Sequence, residues 1–139
     1  MRRLIWIAGL LTAFVAGNAT AASVEGVDIP DTANVGGQEL VLNGAGVRTK
    51  FFFDIYIGAL YLTAKTSDAE KAINDAGPKR VLMHFLYSEV EREKLVEAWD
   101  EGFEDNLSQS RRAALDERIN QFTSYFNTVH EGDRVTLDY

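Results

Sequence analysis

"LVLNGAGVRTKFFFDIYIGALYL", residues 40–62, sets Arg48, Tyr56 and Tyr61 into an apolar run rich in β-branched and aromatic residues. That composition suits a sheet better than a helix. The architecture then depends on where the run turns. As one straight strand it would hold Arg48 and Tyr56 on the same face but roughly 26 Å apart, at about 3.3 Å per residue. A reversal near Phe52 would instead oppose them across a hairpin. Local turn chemistry favours a bend at "NGAG", residues 43–46, because "KFFFD" contains no Gly, Pro or Asn. A guanidinium facing a packed core costs several kcal/mol unless it is paired. Arg48 must therefore reach solvent, pair internally (Asp54 is the nearest candidate), or await an anionic ligand.

On the N-terminal side of this run, "SVEGVDIPD" reads as a strand. On its C-terminal side, Ser67 and Glu70 match a capping box, Ala69, Ala72, Ile73 and Ala76 form one apolar stripe, and Gly77-Pro78 closes a short helix. "KRVLMHFLY" returns to strand. Ser88 with Glu91 is a second capping box, ahead of a helix with Leu95, Trp99, Phe103 and Leu107 at a constant spacing of four. A further helix is marked by Leu115, Ile119, Phe122, Phe126 and Val129, with charged residues mostly opposite. These stripes need a flat apolar partner, and the sheet supplies it. The expected class is α+β, an antiparallel sheet with helices packed on one face. "DRVTLDY" alternates like a final strand and stops without a turn or polar tail, so the domain is expected to be incomplete at its C-terminus.

The chain begins with Arg2 and Arg3, an apolar "LIWIAGLLTAFVAG" and the small-residue pattern Ala19-Thr20-Ala21, which together predict a cleavable secretory signal over residues 1–21. A membrane anchor would need a longer run, of roughly 20 apolar residues. Residues 22–139 are enough for one domain and too few for two. The expected destination is the periplasm or the exterior, with no stable membrane insertion after cleavage. With 14 basic and 21 acidic residues the chain is acidic, which argues against nucleic acid and anionic membrane surfaces as partners. It has no cysteine, so neither disulfides nor thiolate metal sites are available. His84 in a strand and His130 near an expected helix end form no ligand-spaced pair, and no metal or cofactor is expected.

The run from Leu40 to Leu62 resembles the core motif of the chalcone isomerase-like family, most specifically in pairing "NGAGVR" with "YIGALYL". "RVLMHFLYSEVEREKLVEAWDEGF" resembles the strand and long helix of its bacterial members, and the likeness covers roughly residues 24–139. The resemblance implies an open-faced sandwich with a cleft under the helices, a continuous glycine-bearing strand, and a turn after the arginine. It implies that Arg48 holds the anionic end of a ligand: a fatty-acid carboxylate in noncatalytic members, the substrate oxygen in true isomerases. Tyr56 falls where fatty-acid-binding members carry tyrosine and the enzymes threonine. The enzymes also hold a tyrosine, a lysine and an asparagine near the helix start. "YSEVEREKL" fits those positions only with an arbitrary gap, leaving Tyr87 and Lys94 as stand-ins.

The expected ligand-binding residues are Arg48, Tyr56 and, more weakly, Tyr61, since a buried tyrosine is more often a core aromatic with a satisfied hydroxyl. The favoured reading is a noncatalytic binder of a fatty acid or similar amphipathic anion. The alternatives are an isomerase, an intramolecular lyase in which Arg48 would be catalytic, and a protein-interaction domain using the acidic helices. No residue is assigned as catalytic for the binder, and the oligomeric state stays open.

Overall fold

The computed structural model describes residues 21–139. The expected signal segment lies outside the described residues, apart from Ala21. The chain opens with β1 (Ala22–Val24) and β2 (Val27–Ile29), an antiparallel pair joined through Glu25 and Gly26, both at positive φ (48° and 74°). The segment expected as one strand is therefore a hairpin, because two left-handed turn residues match the twist of the strands they join. β3 (Thr32–Val35), β4 (Gln38–Lys50) and β5 (Phe53–Leu62) follow. After them come α1 (Ala69–Asn74), β6 (Arg80–Phe85), β7 (Glu89–Val90), α2 (Arg92–Asn106), α3 (Gln109–Ala114), α4 (Asp116–Ser124), β8 (Val129–His130) and β9 (Arg134–Asp138). Strands β3-β4-β5-β6-β9, in that spatial order, make one antiparallel sheet, while β7 and β8 pair separately.

β4 runs straight through "NGAG". Gly44 and Gly46 keep ordinary strand φ, and Asn43 is an extra residue between the pairs Leu42–Tyr61 and Gly44–Leu60. Its side chain accepts the Thr66 N–H at 2.8 Å, which ties the bulge to the loop ahead of α1. The reversal comes at Phe51 and Phe52, as the reading near Phe52 required.

Strand parity divides the core between the two faces. On one face Leu40, Leu42, Ile57, Ala59, Tyr61 and Leu82 pack with Ile29 under the β1–β2 hairpin. On the other, Met83 and Phe85 pack with Leu95 of α2 and Val129 of β8, flanked by Tyr56, Trp99 and Val135. The helices cover this second face, and Trp99, Phe103, Phe122 and Phe126 interlock beneath them with ring centroids 5.0–5.9 Å apart. Each such side chain contributes about 1.5–3 kcal/mol when fully buried. The α+β architecture with helices on one sheet face is thus the observed one.

Several helix expectations need correction. Asp68, not Ser67, caps α1, accepting the Lys71 N–H at 3.2 Å, and α1 buries none of its stripe. Ser88 caps nothing, because Glu89 and Val90 are drawn into β7 by pairing with His130 and Val129. α2 starts instead after Glu91, where the Thr128 hydroxyl accepts the Arg92 N–H at 3.2 Å from across the fold. The last expected helix is two, separated at Leu115, which has φ −105° and ψ 2°. A single-residue break leaves the apolar phase intact, so periodicity does not reveal it. Val129 and His130 lie beyond the helix in β8, so His130 is a strand residue and not one near a helix end.

Candidate functional site

A symmetric two-residue turn between Lys50 and Phe53 would pair Arg48 with Ile55. The register shifts instead: Lys50 faces Phe53, Thr49 faces Asp54, and Arg48 faces Tyr56, leaving Ile55 as the extra residue of a bulge. A one-residue slip moves a side chain to the opposite face, so this bulge sets Tyr56 on the helix-covered face beside Arg48. The Ile55 carbonyl does not go unpaired. It accepts N–H groups from Leu86 at 2.9 Å and Tyr87 at 3.2 Å, which fixes the exit of β6 and brings Tyr87 edge-on to Phe53 at 5.4 Å.

Beneath this corner lies a pocket of about 390 Å³ between the β4–β5 hairpin, the end of β6 and the first turns of α2. Arg48, Lys50 and Lys94 bring three cations to its wall, and Tyr56 and Tyr87 bring two phenols. Met83, Leu95 and Trp99 form its apolar interior, with Glu89 and Glu91 on the side of β7 and the start of α2. The volume lies in the range of small-ligand sites, and so does the mixture of apolar lining with few polar groups.

Charge around the pocket is unevenly satisfied. Lys94 pairs with Glu97 at 2.9 Å, which raises its pKa above the ordinary lysine value and lowers that of Glu97. Glu89 is engaged by His130, whose Nε2 lies 3.1 Å from its carboxylate. The Arg48 side chain has no ion pair and no hydrogen bond among the described residues, and its guanidinium carbon sits 5.9 Å from the Tyr56 ring centroid. Asp54, the internal partner considered for it, accepts the Thr49 hydroxyl at 3.0 Å instead. Arg48 is exposed, on the part of β4 that extends past its pairing with β3. No hydroxyl hydrogen bond of Tyr56 or Tyr87 to another described residue competes for a ligand. Among the described residues this corner therefore offers two cations without an ion pair, Arg48 and Lys50, and two phenols without a hydroxyl hydrogen bond, above an apolar cavity.

Of the residues expected from sequence, the structure brings Arg48 and Tyr56 together and places Tyr61 elsewhere. Tyr61 is on the opposite face, 1 % exposed, with its hydroxyl donating to the Pro30 carbonyl at 2.8 Å. Burial raises its pKa, and it has no access to the pocket. Tyr87 and Lys94 do line the pocket. Sequence reasoning missed Lys50, whose position two residues from Arg48 gives it the same face, and read Leu95 and Trp99 as core alone. Neither histidine lies in a metal-ligand cluster among the described residues. His84 is buried, accepts the Arg134 Nε–H at 3.0 Å, and has its pKa lowered by burial and then by that cation.

The sequence model of the chalcone isomerase-like family matches residues 21–139, and the chain belongs to that family. No curated protein matches it.

Proposed function

We propose that this chalcone isomerase-like domain binds a fatty acid or similar amphipathic anion, its carboxylate at Arg48 and its chain against Met83, Leu95 and Trp99. One observation carries the reading. Arg48 is held beside an apolar pocket with no ion pair among the described residues, in the company of two tyrosine hydroxyls that have no hydrogen bond among those residues. A carboxylate offers a guanidinium a charge-assisted contact and leaves lone pairs for a phenol donor. The Arg2-Arg3 start and apolar run of residues 1–21 support export to the periplasm or beyond, with the domain working there. Calorimetric titration with a long-chain fatty acid and its methyl ester tests the assignment. The acid should bind and the ester should bind at least about tenfold more weakly, as loss of a charge-assisted contact requires. Equal affinities would overturn it.

A second reading is favoured by a specific placement: Tyr87 and Lys94 line the same pocket as Arg48. In an isomerase a substrate phenolate oxygen would add to the β-carbon of its own enone. The carbonyl oxygen would gain negative charge as the new C–O bond formed. Arg48 would stabilise that charge as a preorganised cation, and the resulting enolate carbon would take up a proton.

A further inference from the structure

Three consecutive phenylalanines close the β4–β5 hairpin, and they lie largely in solvent. Phe51, Phe52 and Phe53 are 83 %, 97 % and 54 % exposed. Phe53 leans on Tyr87, whereas Phe51 and Phe52 stack on no aromatic ring among the described residues. Phe51 also has φ 57°, a left-handed conformation that strains a bulky side chain and that turns normally give to Gly or Asn. The hairpin would be better served by a polar turn. Side chains that return so little within the chain are explained by a contact outside it.

We propose that this tip is a peripheral membrane-docking element that inserts its phenylalanines into the interfacial region of a lipid bilayer. The shape selects a bilayer over a folded partner. A nearly fully exposed two-residue turn is convex and would need a matching deep pocket on another protein, while the headgroup layer deforms around it. Lys50 and Arg48 follow directly behind the tip, where phosphates of the headgroups would meet them, and the neighbouring Asp54 is occupied by Thr49. The acidic balance of the chain, 14 basic against 21 acidic residues, opposes attachment by charge alone, so aromatic insertion carries it. Among the described residues no helix is long and apolar enough to cross a membrane. Tip and pocket are contiguous, since Arg48 and Lys50 line the pocket and Tyr87 touches both. Docking would bring the pocket mouth to headgroup level. Loading of an amphipathic anion from the bilayer rests on the proposed function; docking does not.

The test uses the full chain carrying Phe52→Trp, compared with the parent chain so that the native tryptophans cancel. The vesicles are phosphatidylcholine with bromine placed near the carbonyl level. The added indole should shift to the blue and be quenched, and should stay so in about 1 M salt, where surface charges are screened. Phe51→Ser/Phe52→Ser should lower vesicle partitioning roughly tenfold or more, with melting temperature unchanged or raised and fatty-acid affinity in vesicle-free buffer unchanged. Failure of the proposed function would appear only in the last of these measurements. An indole that stays unquenched while the chain sediments with vesicles overturns the proposal. So does equal partitioning of the serine variant, or burial of the tip by self-association without lipid.

Discussion

Replacing Arg48 by alanine separates a cation held for a ligand from a cation held for the fold. The structure sets both magnitudes. Among the described residues the guanidinium meets only the face of Tyr56, at 5.9 Å, and at an exposed site such a contact is worth about 0.5–1 kcal/mol. Its removal also relieves repulsion with Lys50 on the same face of β4. Stability should therefore change by about 1 kcal/mol or less, a shift of no more than about 4 °C in Tm for a domain of this size. The ligand loses a charge-assisted contact, about 1.5–3 kcal/mol, or roughly 10- to 150-fold in Kd. Arg48→Lys keeps the charge without the planar fork and should fall between. Differential scanning fluorimetry and calorimetric fatty-acid titration on the same three proteins give the comparison. Stability lower by about 3 kcal/mol with affinity retained would mean that Arg48 serves an internal partner, and the reasoning from its free guanidinium would fail.

Phe85, 1 % exposed at the centre of the helix-covered core, should cost about 3–5 kcal/mol when replaced by alanine, read as a lower urea midpoint. Gly77→Ala should destabilise by about 1–3 kcal/mol, because the added Cβ would lie 2.9 Å from Thr63 Cγ2 and 3.1 Å from Asp75 Oδ1, an acceptor that fixes the Gly77 N–H; an unchanged midpoint would contradict this. Burial and Arg134 hold the His84 pKa below its ordinary value, so on acidification the unfolded chain takes up that proton first. The contribution of His84 is complete above about pH 6.5 and is lost as pH falls toward its folded pKa. His84→Gln should flatten this part of a stability-against-pH curve between about pH 7 and 5, and an identical slope would refute the assignment.

The elements that sequence reveals here are those written in periodicity. The spacing of Leu95, Trp99, Phe103, Ile119, Phe122 and Phe126 identifies helical faces, and the alternation of Val135 and Leu137 identifies β9. What periodicity cannot show is a defect that preserves phase. The break at Leu115 and the bulge at Ile55 each leave the apolar pattern readable, yet the bulge alone decides that Arg48 meets Tyr56 rather than Ile55. Caps misled for a related reason. Ser88 satisfies a local motif, but pairing of Glu89 and Val90 with β8 takes that segment into a strand, a long-range contact no short window contains. Tyr61 shows the limit of residue type: it stands five residues from Tyr56 in the same strand, so parity alone places it in the other core. Lys50 could have been found by counting two residues from Arg48.

The central claim is that the pocket holds an amphipathic anion at Arg48. Native mass spectrometry of the protein as purified, with released small molecules identified and chalcone turnover assayed on the same sample, tests it most directly. The account predicts one fatty-acid-sized adduct on the wild-type chain, its absence from Arg48→Ala, and no turnover. A ligand-free protein that cyclises a chalcone, or an adduct that Arg48→Ala retains in full, would contradict it.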